Sequence, residues 1–315
     1  MLEKCRRDQW KADDLDWSLR PRELAPEQER AVVQYFTNMS GIERLAGRLF
    51  AVQRDRARDP VLREIFSSFV VDEERHSEVA ARLANHYNVR KLQNYEQHPN
   101  LVRFETYFVG ACKYLSPEIA NAYITTGELL LDIALLRSLD DYVDDEMSHQ
   151  AMRLINRDES RHIAVDYHMV EFYSSEEHDR DLAERQQSLS ERAKAAMMFA
   201  GMLYHARPFF HDVFFTPMDL TDPSGKRLLE AFRRVQLLSA KPGVARRPFT
   251  RFMSALQTMY GNRWIRPVFG ALIERTMGLD PRVIRDLNSQ AEMRRAERMS
   301  FDDLAAEALD AKTQN

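Results

Sequence analysis

This 315-residue sequence predicts an all-α fold, a four-helix bundle with additional C-terminal helices, on three observations. Apolar residues recur at three- and four-residue steps through most of the chain, and no segment shows the period-two alternation of a strand. The third observation is a repeat: Asp72-Glu73-Glu74-Arg75-His76 and Asp158-Glu159-Ser160-Arg161-His162 share one frame, and a lone Glu precedes each by about thirty residues, Glu43 and Glu128. A Glu and a His three apart lie one helical turn apart on one face, so each pair can aim at one interior point.

The elements follow in order. Residues 1–25 are a polar N-terminal arm carrying Trp10 and Trp17, which either packs on the bundle, crosses a partner subunit or frays. Pro26 suits a first helical turn and opens a helix reaching about Ala57, with Val32, Phe36, Met39, Ile42, Leu45 and Leu49 as its apolar stripe and Glu43 beside it. Asp59-Pro60 breaks the chain before a second helix over 61–87, where Glu73 and His76 interrupt a stripe of Ile65, Phe66, Phe69, Val79 and Leu83. Charged groups within a core stripe are costly unless they pair or coordinate something. Residues 88–100 read as a long crossover.

A third helical region spans 101–139, with a break at Ser116-Pro117, and its most apolar part holds Glu128 and Asp132. Asp140-Asp141 is the expected cap of a fourth helix over 142–173. Residues 26–173 thus form the core and 174–315 a helical extension packed on it. In that extension Ser174-Ser175 reads as a cap, Pro208 as a kink or end beside His205 and His211, 216–225 as turns, 226–238 as an amphipathic helix, 241–248 as a loop or lid hinge, and 249–277 as one more helix.

The repeated pattern is the ligand inventory of a carboxylate-bridged dimetal site. Six residues make up the expected metal set: Glu43, Glu73, His76, Glu128, Glu159 and His162. Four carboxylates against two divalent ions leave a nearly neutral centre, and oxygen-rich ligation suits iron or manganese, including a mixed pair, over a closed zinc site. A ligating imidazole usually gives its second N–H to an outer carboxylate, so Asp158 is expected at His76 and Asp72 at His162, with Arg75 and Arg161 neutralising these acids at the rim. Asp132, one turn after Glu128, is a candidate catalytic proton relay.

A formal charge of −4 gives no basic footprint for nucleic acid. With Cys5 and Cys112 as the only cysteines, disulfide frameworks and thiolate zinc clusters are excluded. No secretory signal and no uninterrupted apolar span is visible in the sequence, so the expectation is a cytoplasmic protein without a membrane partner.

With these residues in view, the chain resembles the ferritin-like diiron-carboxylate superfamily, which includes ribonucleotide reductase small subunits, multicomponent monooxygenase hydroxylases, acyl-carrier desaturases and AurF-type N-oxygenases. The segment Met152 to His162 looks like the fourth-helix motif of the small subunits, and the resemblance covers roughly 27–173. It implies two iron ions and dioxygen as cosubstrate, with hydroxylation or N-oxygenation of a small organic substrate, free or carrier-bound. A separate ferredoxin or reductase would donate electrons, since no flavin or nicotinamide fingerprint is present, and a homodimer is expected.

Three departures narrow the choice. Ala80 stands where the small subunits carry a radical tyrosine, Ile155 where the N-oxygenases carry an extra histidine ligand, and Asp132 where hydroxylases carry a threonine. His168 is a candidate replacement for the missing histidine. A ferroxidase or peroxide scavenger, and a binding protein with a vestigial site, are the alternative readings.

Overall fold

The structure, a computed structural model, describes residues 1–115, 117–184, 188–277 and 279–312; among them there are helices and no strand. Helix α1 (Leu2–Arg7) and a 3-10 turn (Ala12–Asp14) form the arm, followed by α2 (Pro26–Arg56) and α3 (Pro60–Tyr87). Both long helices begin as their sequences dictate. Proline occupies the first turn of each, where its missing N–H costs nothing, and Asp59 accepts a hydrogen bond from Val61 N at 2.8 Å. Residues 57–59 are short enough to fold α3 back along α2. Phe36, Phe50, Phe66 and Phe69 are almost completely buried along the pair, each contributing about 1.5–3 kcal/mol by leaving water. Gly47 permits the close approach, because a Cβ there would lie 3.2 Å from Glu73 Cβ.

The loop after α3 is held where Arg90 N donates to Glu29 Oε1 at 2.7 Å. The expected third helix is several elements: α4 (Pro99–Tyr114), α5 (Pro117–Leu129), a π-helical turn (Leu130–Leu135) and α6 (Leu136–Val143). Pro117 begins α5, and Ser116 lies outside the described residues. Helix α4 packs on α2, so the crossover toward α5 includes a helix as well as a loop. Asp144 adopts the left-handed conformation, φ 49°, which turns the chain into α7 (Glu146–Tyr173). The cap of α7 is Asp145, which accepts from Ser148 N at 2.9 Å, rather than Asp140-Asp141; Asp140 instead accepts from Ser148 Oγ at 2.7 Å.

One buried cluster runs from Cys5 in the arm to Ala308 near the C-terminus. The arm therefore packs on its own chain, with Cys5 and Trp10 buried, and both cysteines are free thiols.

The C-terminal part departs from expectation at four places. Helix α8 (Glu176–Glu184) precedes α9 (Leu189–Phe209), and Pro208 neither ends nor breaks the helical path, which continues through a π turn (Phe210–Phe215) into α10 (Thr216–Thr221). Residues 216–221 are helical rather than turns. After α11 (Lys226–Ser239), the expected loop at 241–248 contains a one-turn helix, α12 (Pro242–Ala245), and Arg247 is buried and pairs with Asp179. The expected helix over 249–277 is a hairpin of α13 (Pro248–Gly261) and α14 (Arg266–Met277), because Asn262 Oδ1 accepts from Trp264 N at 2.9 Å and stabilises a turn. Helices α15 (Pro281–Ile284), α16 (Gln290–Arg298) and α17 (Phe301–Ala311) complete the described chain.

The stretch Pro117–Val143 is, against the sequence expectation, long and apolar enough by length and composition to cross a membrane. Its most apolar window is 72% buried within the protein, and it carries the buried carboxylates of Glu128 and Asp132. Those features are also shared by a helix occupying a protein core.

Candidate metal centre

Four helices bring the repeated acids and histidines together. Glu43 comes from α2, Glu73 and His76 from α3, Glu128 from the end of α5, and Glu159 and His162 from α7; all six are at most 3% exposed. They form two overlapping groups: Glu43, Glu73, His76 and Glu159, then Glu73, Glu128, Glu159 and His162, with the ligand atoms of each group within 4.8 Å of one another. Glu73 and Glu159 belong to both groups. Two carboxylates are thus shared, while one Glu and one His belong to each group alone.

Individual distances show the same sharing. His76 Nδ1 lies 3.0 Å from Glu159 Oε1 and 3.8 Å from Glu73 Oε2; His162 Nδ1 lies 2.9 Å from Glu159 Oε2 and 3.1 Å from Glu73 Oε1. Glu128 Oε2 is 3.8 Å from His162 Nδ1. The far ring nitrogens meet the aspartates crosswise: His76 Nε2 is 3.2 Å from Asp158 Oδ2, and His162 Nε2 is 3.5 Å from Asp72 Oδ2. The first is within hydrogen-bonding reach and the second is a looser polar contact. In the neutral ring, a proton on Nε2 facing that acceptor would leave the Nδ1 lone pair toward the glutamates.

Arg75 and Arg161 are interior rather than rim residues, at 8% and 0% exposure. Arg75 donates to Asp72 and, at 2.8 Å, to Asp158 Oδ2; Arg161 donates to Asp72 Oδ2 at 3.0 Å and to Asp158 Oδ1 at 2.8 Å. Two acids and two guanidiniums thus balance one another, leaving the four inner glutamates uncompensated by that group.

Titration reflects this imbalance. Burial first, and neighbouring carboxylates second, push Glu43 and Glu128 well above the usual carboxylate range. Burial alone would lower both imidazoles, but their acid partners reverse the direction and lift His76 and His162 well above the ordinary histidine range. Glu159 is driven the other way: burial opposes ionisation, and the two histidines overcome it. Neither oxygen of Glu43 or of Glu73, nor Glu128 Oε2, has a hydrogen-bond partner. Orphaned buried carboxylate oxygens of this kind, beside two imidazoles, fit a pair of divalent cations.

Sequence reasoning missed part of the support. Trp10 Nε1 donates to Asp158 Oδ2 at 2.6 Å, its ring stacks over His76 with centroids 6.3 Å apart, and Arg75 lies over it at 4.8 Å. A tryptophan in a polar arm was the available signal, although nothing in spacing could give its partner. Asp166, on α7 one turn after His162, is fully buried, and both its carboxylate oxygens lack partners. Its position four residues after a ligand candidate was a readable signal. The nearby α5 residue Asn121 donates to Asp166 O at 3.4 Å and to Thr125 Oγ1 at 3.4 Å, while Gln53 Nε2 donates to Asn121 Oδ1 at 3.5 Å.

Asp132 lies in the π turn after Glu128, paired with Lys312 at 2.7 Å between Oδ1 and Nζ. Burial raises its carboxyl and Lys312 opposes that, leaving it pushed up to about 6. His168 is exposed and lines a separate cavity of about 740 Å³ with Gln53, Phe66, Met169 and Tyr173, so it is not brought into the six-residue cluster. His205 stacks on Tyr107, and His211 pairs with Asp212 at 2.7 Å.

Comparison with protein-family models, with curated proteins and with solved structures finds no match to this chain.

Proposed function

We propose that the chain is a ferritin-like diiron-carboxylate oxygenase, with α2, α3, α5 and α7 as its metal-binding bundle, acting on a small organic substrate by hydroxylation or N-oxygenation. The observation that carries this reading is the membership of Glu73 and Glu159 in both ligand groups, since bridging carboxylates hold two ions close together. Glu43 and His76 would hold one ion, Glu128 and His162 the other, and Glu73 and Glu159 would join them. Bound iron would supply the electrons that activate dioxygen, with manganese the alternative metal.

The protein's own contribution is orientation, charge and exclusion of water. Asp158 fixes the His76 tautomer, and Trp10 with both arginines fixes Asp158. Phe50 and Phe69 pack against the His162 ring at centroid distances of 5.1 and 4.2 Å and help keep water from that side. Asp132, within the π turn and paired with Lys312, would hold or move a proton there. Electrons would come from a separate reductase or ferredoxin.

Dioxygen uptake tests this reading. Iron-loaded, chemically reduced protein should consume dioxygen, and Glu159→Ala should abolish that consumption along with paired-metal binding. Uptake driven by added ferrous iron alone, with no organic product across a panel of neutral and charged substrates, would favour ferroxidase activity instead. No uptake by the loaded protein would refute the oxygenase reading.

A further inference from the structure

We propose that the space between α5, α7 and the C-terminal helices is a binding site for a neutral, predominantly apolar molecule about the size of one substituted aromatic ring. Calling that molecule the substrate rests on the oxygenase reading above; its occupancy of the site does not. The cavity measures about 200 Å³, and its walls include Thr125, Phe210, Phe232, Phe249 and Met253. Among the described residues, no Asp, Glu, Lys, Arg or His lines it.

A second space of about 50 Å³ shares Ala122, Val170, Val244, Phe249 and Thr250 with the first and adds Asn121. Its two charged wall residues are already engaged: Glu118 with His178 at 2.7 Å, and Arg247 with Asp179. Neither is left to neutralise a ligand. The two spaces therefore read as one pocket with an apolar body.

The inner wall faces the candidate centre through chemistry as well as position. Thr125 lines the larger space, accepts from Asn121, and sits on α5 one turn before Glu128. Asn121 lines the smaller space and also donates to the backbone of Asp166 on α7, one turn beyond His162. An occupant would thus be separated from the acid and histidine cluster only by the α5–α7 layer.

Size and charge select the class. A dry cavity of about 150 Å³ is enough for benzene, so this pocket admits a ring with a short substituent. A carboxylate or phosphate held against these apolar walls would lose water without gaining a cation, which disfavours it. The larger cavity lined by Gln53 has Arg56, Arg58, Asp59, His168 and Glu177 in its walls and is the better match for ionic solutes and water.

The test uses ethylbenzene and its charged analogue 4-ethylbenzoate, measured by ligand-observed NMR on the full chain both metal-free and iron-loaded. Ethylbenzene should bind in both states, with 4-ethylbenzoate weaker by at least about 30-fold. Ala122→Phe and Val235→Trp fill the pocket from α5 and α11, and each should weaken ethylbenzene at least about tenfold while the melting transition remains cooperative. The proposal fails if ethylbenzene does not bind, if the benzoate binds equally well, or if both folded variants bind ethylbenzene like the parent. Ethylbenzene binding in a protein that cannot be loaded with iron would keep the pocket and remove the oxygenase reading.

Discussion

Replacing Asp158 by Asn isolates the strongest supporting interaction around the centre. The shape is nearly conserved, but Trp10, Arg75 and Arg161 all donate to this carboxylate at 2.6–2.8 Å, and it is fully buried. The variant leaves two buried guanidiniums sharing Asp72 alone. Removing one partner of a buried ion pair costs about 3–5 kcal/mol. For 315 residues the unfolding entropy near 60 °C is about 0.7 kcal/mol/K, so the metal-free variant should melt about 4–7 °C lower by calorimetry. Competition titration should show metal affinity reduced about 10–100-fold, because His76 loses its orienting acceptor.

The pH dependence of the same variant has a definite sign. Burial opposes ionisation of Asp158, but His76, Trp10 and Arg161 overcome it and hold the folded carboxyl below its usual range. Its stabilisation is present above the unfolded value of 3.8 and fades as pH falls through the lower folded value. The parent's advantage should therefore shrink in acid. A melting shift under about 1 °C with unchanged metal affinity would refute this reasoning.

Three further outcomes follow. Trp10→Phe removes the donor to Asp158 and should cost about 1.5–3 kcal/mol by denaturant unfolding, whereas an arm without a structural role would give no change. Gly47→Val places a side chain 3.2 Å from Glu73 Cβ at its first atom and should cost about 1–3 kcal/mol while weakening metal binding, as read by unfolding and metal titration. Asp132 is raised from 3.8 to about 6 in the fold, so its favourable contribution is present below the unfolded value and lost as pH rises through the folded one. Asp132→Asn should consequently gain on the parent by up to about 3 kcal/mol between pH 4 and 7 in paired unfolding curves; parallel curves would contradict the burial assigned to Asp132.

The core was legible because its signals are local and repeated. Proline and aspartate at 59–60, the apolar stripe around Glu43, and the two Glu-x-x-His turns each determine structure within a few residues, and the folded chain brings all six metal-ligand candidates together. The crosswise approach of Asp158 to His76 and Asp72 to His162 was also readable, since identical frames on facing helices place each Asp near the other's His. What escaped depends on distant chain segments. Trp10 reaches Asp158 across 148 positions, and Lys312 closes on Asp132 from the last described helical turn. The π turn after Glu128 is an irregularity that apolar periodicity cannot locate, and the α13–α14 hairpin was hidden because an apolar pattern continues on both sides of Asn262.

Iron bound per chain is the most direct test of the central claim. Metal-free protein titrated anaerobically with ferrous iron should take up two ions per chain, and Glu73→Ala and Glu159→Ala should each lose the pair because each removes a carboxylate common to both groups. Saturation at no ions or one ion in the folded parent, or two-ion binding unchanged in both variants, would contradict the assignment of Glu73 and Glu159 as bridges.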